Sequence, residues 1–206
     1  MRKFMLLAGL TFVAAPATAQ TMLGLRGGVG FATVSIEGVE VEEESVSRIV
    51  TGVDLGIRAS RFFGLRLGGA YAQKGGAATV EGFRVSLNVD YLQLSALTRL
   101  ATPDDGGLSV GVMVGPWAAY RLSCDVEAAA ESFRLNAHCD NADFSDFDIK
   151  ALDYGLAFGG GVELPLVGNL RLGLDALYSL GLAEVDEAEA KTRHLTLQAG
   201  LVFPVW

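Results

Sequence analysis

The chain has 206 residues, is 50% hydrophobic and 19% charged, and carries 26 glycines and a formal net charge of −8. No uninterrupted apolar run reaches the roughly 18 residues that a membrane-spanning helix needs, so the hydrophobicity is spread over many short pieces. That leaves a core-rich β protein or a transmembrane β-barrel, and the acidity argues against nucleic acid as a partner, because phosphate binding needs a basic footprint.

In chain order, Arg2 and Lys3 precede an apolar stretch from Phe4 to Ala15, and Ala17-Thr18-Ala19 then gives an A-x-A cleavage pattern. Residues 1–19 are therefore expected to be a secretory signal peptide, and residues 20–206 one domain with no linker. Eight alternating runs follow, at residues 22–35, 47–59, 64–74, 86–101, 108–121, 150–164, 170–181 and 191–206. Each is long enough to cross a bilayer as a tilted strand of about ten residues. One face is apolar throughout, as in Leu23, Leu25, Val29 and Phe31, then Ile49, Val53, Leu55 and Ile57, and so on to Leu195, Leu197, Leu201 and Phe203. The other face carries Arg26, Asp54, Arg58, Arg66, Gln93, Ser95, Arg99, Trp117, Arg121, Glu163, Arg171, Asp175, His194 and Gln198 among many glycines.

A soluble sandwich or lipocalin-like barrel would turn the apolar face inward. Glycine weakens a water-facing strand but suits a crowded interior, so glycines on the polar face point to an inside-out barrel. Residues 60–63, 102–107 and 165–169 read as short turns, whereas 36–46, 75–85, 122–149 and 182–190 read as longer polar loops. Short periplasmic turns and long outer loops are the topology of an outer-membrane barrel with both termini in the periplasm. The expected fold is all-β, an eight-stranded antiparallel up-and-down transmembrane β-barrel in the cell outer membrane.

Several segments carry a family resemblance. Tyr71-Ala72-Gln73-Lys74-Gly75-Gly76 is followed by Tyr91-Leu92-Gln93-Leu94, then Gly111 to Tyr120 with Gly115-Pro116, Asp153-Tyr154-Gly155 and Gly159-Gly160-Gly161-Val162-Glu163. With a terminal strand ending in an aromatic, this order resembles the PorT-type outer membrane β-barrel family over nearly the whole mature chain. The resemblance implies an eight-stranded barrel in a Gram-negative outer membrane and no catalytic residues. Trp206 resembles the C-terminal aromatic signal read by the barrel assembly machinery, although Pro204 is expected to introduce a bulge that changes register.

The chemistry-bearing candidates are few. Cys124 and Cys139, alone in one polar segment of an exported chain, are expected to form a disulfide outside the sheet. Arg26, Arg58, Arg66, Arg99, Arg121 and Arg171 face Asp54, Glu163 and Asp175 in a narrow interior, where lone charges are costly, and should form a packed ionic network. Eight strands leave an interior only wide enough for side chains, which favours a plug over a pore. Gly107-Leu108-Ser109-Val110-Gly111 matches G-x-S-x-G but continues into strand rather than helix, so Ser109 reads as an interior hydroxyl. His194 has Thr196 beside it and no serine.

The expected loops gather 17 of the 24 carboxylates, including Glu42, Glu43, Glu44, Asp143, Asp146 and Asp148, and could hold divalent cations that bridge to lipopolysaccharide. No EF-hand grammar, metal site or cofactor motif is present. The reading is a non-enzymatic barrel with a structural or interaction role. Its partners would be outer-membrane lipid, lipopolysaccharide, the barrel assembly machinery and an unidentified cell-envelope protein. A small-solute channel, a secretion-system accessory and a lipid-modifying barrel enzyme are the alternatives.

Overall fold

The structure, a computed structural model, describes residues 20–35, 46–80, 83–103, 106–130, 133–139, 151–182 and 191–205. The expected signal peptide, Trp206 and most of the acidic loop residues lie outside these. Among the described residues there are nine strands: β1 (Gln20–Ser35), β2 (Val46–Arg58), β3 (Phe63–Val80), β4 (Phe83–Ala101), β5 (Ser109–Ala130), β6 (Phe133–His138), β7 (Leu152–Pro165), β8 (Arg171–Gly181) and β9 (Lys191–Pro204). Every pairing is antiparallel, and the β4–β5 and β1–β9 ladders close the sheet on itself. Strands β7 and β6 flank the same edge of β5, β7 beside Ser109 to Tyr120 and β6 beside Asp125 to Ala130, so nine strands make eight staves.

Strict alternation sorts the side chains into lipid-facing and lumen-facing sets. Ile49 is 61% exposed, Leu94 60% and Val112 60%, whereas Arg26 is 8% exposed, Asp54 7% and Arg66 8%. In water this arrangement would expose the apolar belt and strand the charges in the interior; in a bilayer it places each where its solvation is met. Aromatic residues border the belt, Tyr120 and Tyr154 toward the loops and Phe62 and Phe63 at a short turn, as expected of amphipathic rings at the lipid headgroups. The short turns mark the periplasmic end.

Three features differ from the sequence reading. Within the expected loops, residues 75–80, 83–85, 122–130 and 133–138 are strand: β3 and β4 stay paired up to Val80 and Phe83, and β5 and β6 up to Ala130 and Phe133. Beyond the bilayer both faces of a strand meet water, so the period-2 signal fades although the backbone ladder continues. Pro204 makes no bulge, because β9 pairs with β1 in unbroken register from Lys191 to Pro204 and leaves β8 after Val202. A proline beyond the last two-sided pair removes no ladder hydrogen bond. The irregularity lies elsewhere, between Asp90 and Tyr91, where Asp90 pairs with Ser123 and Tyr91 with Arg121.

That step leaves Leu122 as an extra residue and inverts the parity of β5 above it. Cys124 thereby faces inward instead of outward and is joined to Cys139 across a 15-residue separation. Both cysteines are buried in the lumen-side apolar cluster. The bridge thus lies within the extended sheet rather than outside it. Closing a loop of this length contributes on the order of 3 kcal/mol in the chain-entropy model. Reduction should therefore make the β5–β6 hairpin sensitive to protease while the membrane staves stay folded, since β5 remains paired with β7 below. The check is limited proteolysis beside heat-modifiable mobility on a detergent gel; loss of the compact unboiled band on reduction would show the bond to be needed for the barrel itself.

Candidate functional site

The lumen is filled in layers. Nearest the turns, Glu163 on β7 meets three guanidiniums: Arg58 Nη2 at 2.8 Å, Arg99 Nη2 at 3.3 Å and Arg171 Nε at 3.4 Å. Arg171 also donates to the carbonyls of Gly107 and Glu163, at 2.9 and 3.1 Å, tying this layer to a turn. Above it, Arg26 pairs with both Asp54 and Asp175, and Arg66 Nη1 donates to Asp175 Oδ2 at 2.8 Å. Staves β3 and β8 stand opposite each other in the ring, as do β2 and β7, so Arg66–Asp175 and Arg58–Glu163 span the full width of the barrel. Arg121 stands well above, in register with Tyr91 on the loop side.

Glycines make room for these charges. A Cβ on Gly161 would sit 2.0 Å from Asp175 Oδ1, one on Gly24 2.6 Å from Asp54 Oδ2, and one on Gly173 2.8 Å from Arg26 Nη1. At these three positions the absence of a side chain is what admits the ion network, whereas at Gly28, Gly115, Gly155 and Gly159 a Cβ would meet backbone of the neighbouring strand.

The loop-side half of the lumen holds an apolar cluster. Leu97, Met113, Trp117, Ala157 and Leu177 form a buried cluster with Tyr91, Val89 and the disulfide. Lys74 reaches into it, 4.2 Å from the Trp117 ring centroid and 4.9 Å from that of Tyr91, and its Nζ lies 3.3 Å from Asp153 Oδ2. Such cation–π contacts gain strength when desolvated, about 2 kcal/mol at the upper end. Sequence reasoning named neither Lys74 nor Asp153 as a site residue. Their parity would have found them, since Lys74 continues the inward series Arg66, Gly68, Ala70, Ala72 and Asp153 the series Gly155, Ala157, Gly159, Gly161, Glu163.

The two enzyme-like signals are not brought together. Ser109 is buried at the turn end, donating to the Thr102 carbonyl at 3.0 Å and accepting from Arg99 at 3.3 Å. His194 pairs in register with Ala32 toward the loop end, with Nδ1 3.2 Å from Thr196 Oγ1. Nucleophilic catalysis needs serine and base within hydrogen-bond reach.

The family described as outer membrane protein beta-barrel domain matches residues 18–187. No curated protein matches the chain in sequence. Among solved structures, the outer membrane protein OprG from Pseudomonas aeruginosa is 10% identical, with 90% of this chain and 95% of that chain covered and a TM-score of 0.56. Neisserial surface protein A is 12% identical over 90% and 97% of the two chains, with a TM-score of 0.49. Ail of Yersinia pestis is 14% identical over 89% and 99%, with a TM-score of 0.47. The OprG likeness, at its low identity, is one of fold, and it agrees with the closed sheet and lipid-facing belt. The chain belongs to the outer membrane protein beta-barrel domain family and is a protein of the outer membrane.

Proposed function

We propose that this barrel is a closed, non-enzymatic anchor that holds two long hairpins, β3–β4 and β5–β6, above the outer membrane as an interaction platform. The observation that carries the reading is the filled lumen: two ion pairs cross its full width near the turns, and the Trp117 cluster with Lys74 and Asp153 occupies its loop-side half. An interior this full favours rigidity over transport. The paired strands that continue past the membrane favour presentation of a fixed surface.

The partners belong to the same proposal. The acidic loops would hold divalent cations loosely and through them the phosphates of lipopolysaccharide, and the C-terminal strand would be read by the barrel assembly machinery. The PorT-type likeness adds a cell-envelope protein, such as a secretion component, as the macromolecular partner. Photocrosslinkers placed in the two hairpins and in the three short turns of intact cells test this. A discrete protein adduct from the hairpins supports the platform, and adducts from the turns alone would overturn it. The closed lumen has its own measurement. In planar bilayers with molar potassium chloride the protein should give no unitary steps, because buried ion pairs are screened far less by salt than exposed ones; regular steps would sink the closed reading.

A further inference from the structure

Above the bilayer, β3, β4, β5 and β6 run on side by side as a wall, while β2 parts from β3. The β2–β3 ladder ends at Val50 and Ala72, whereas β3 stays paired with β4 up to Val80 and Phe83. Residues 73–80 therefore carry a ladder on one side only among the described residues. The separation begins inside β2 itself: residues 46–49 remain paired with β1, and residues 73–76, which the register would place opposite them on β3, do not pair with them. The other margin of the wall, β6, is only six residues long. Short strands, prolines and charges are the usual guards against edge-to-edge pairing. The longer β3 margin has no proline and, at its outer positions Gln73, Gly75, Ala77 and Thr79, no charge.

The wall has two unlike faces. Leu87 and Val126 stand opposite each other in register and pack against the apolar cluster of the lumen, and Val85, Ala128 and Leu135 form the next row of that face. The outer face carries Asn88, Asp125 and His138 in one row and Ser86, Glu127 and Asn136 in the next, with Asp90 below. Where the alternation of β3 fades into small residues, its neighbours thus keep one face apolar and the other polar and acidic.

We propose that the β3 margin takes up an extended peptide as an added strand, one whose side chains alternate between apolar and basic. The inference rests on the platform reading and names the chemistry of its partner. The backbone of residues 73–80 supplies affinity through main-chain hydrogen bonds, and the two faces select the sequence. Apolar side chains of the added strand continue the Leu87–Val126 face. Basic ones lie on the acidic side of the wall, whose negative field extends over a Debye length of about 10 Å at 0.1 M salt. The chain's own residues 36–45 are poorly matched to this margin, because they carry Glu37, Glu40, Glu42, Glu43 and Glu44 and like charges on one sheet face repel. A second copy sets the same net charge of −8 against itself.

The test is hydrogen exchange of the folded barrel in zwitterionic detergent at low salt, read amide by amide over residues 73–80. It is run with and without a synthetic peptide of about eight residues alternating valine and lysine. In the free barrel every second amide of this stretch should exchange fast, because it faces the open margin, and saturating peptide should slow those amides at least about tenfold. A valine–glutamate peptide of the same length should bind at least about tenfold more weakly. Ala77→Lys should weaken the lysine peptide several-fold and Ala77→Glu should tighten it, the folding of each variant being read from its unboiled gel band. Absence of binding, or binding that leaves residues 73–80 unprotected, overturns the inference. So does slow exchange of the whole stretch in the free barrel: if independent of barrel concentration it assigns the margin to residues 36–45, and if it grows with concentration, to a second copy. Photocrosslinkers separate the added strand from the platform on which it rests. Protein adducts from β5–β6 with none from β3 leave the platform standing and overturn the added strand, and adducts from neither hairpin overturn both.

Discussion

Replacing Asp175 by alanine should destabilise the folded barrel by about 3–5 kcal/mol, the usual consequence of removing one partner from a buried ion pair. The carboxylate holds Arg26 from two staves away and Arg66 from the opposite wall. Without it, one guanidinium charge is left over near the centre of the lumen. The double variant Arg66→Met with Asp175→Leu should recover most of the loss, because Arg26 and Asp54 then remain as a balanced pair and the removed groups are replaced by apolar volume. Urea unfolding in lipid vesicles, followed by the mobility of unboiled samples, measures both. A single variant within about 0.5 kcal/mol of wild type would show the crossing pair to be ornamental, since changes of that size are typical of surface positions.

The second large effect is steric. Gly161→Val should abolish the folded band or cost at least about 3 kcal/mol, because overpacking here also breaks ion pairs. The first atom of any side chain at this position would lie 2.0 Å from Asp175 Oδ1 and 2.8 Å from the Leu174 carbonyl oxygen. Two arginines fix the carboxylate and the β7–β8 ladder fixes the carbonyl, so neither can move aside cheaply. Gly69→Ala is the matched comparison. Its Cβ would meet nothing nearer than Leu94 Cδ2 at 3.7 Å. Removing glycine from a strand without a clash should be neutral or stabilise by about 0.5–1 kcal/mol. Equal losses at both positions would mean that glycine serves strand flexibility here rather than space for charge.

The sequence made the two faces of the barrel legible because an unbroken ladder admits no drift: once Leu25 faces lipid, Arg26 faces the lumen, and the same holds down each stave below the β5 bulge. It also made the inventory of interior charge legible. It did not reveal which acid meets which base. Arg26 and Asp175 lie 149 residues apart, Arg66 and Asp175 109 apart. Such pairs depend on the stagger between staves, which residue identities alone do not encode. The bulge after Asp90 was hidden for a related reason, since one extra residue among the polar positions around Ser123 leaves no mark on the pattern while turning Cys124 to the inside. Lys74 and Asp153 were readable by parity but lay where an apolar lumen was not expected.

The crossing ion pairs also constrain the order in which the barrel can be assembled. Arg26 belongs to the first stave and Asp175 to the seventh, so a chain that entered the bilayer stave by stave from its N-terminus would carry Arg26 and Arg66 into hydrocarbon long before their shared acid was available. Entry from the C-terminal side would bring Asp175 in bare, with the same penalty in the opposite sign. Either route raises the energy of every partly inserted form and leaves the closed ring as the first state in which all of these charges are neutralised. Insertion should therefore be concerted, with the sheet largely curled before its interior leaves water, and half-barrels should not accumulate.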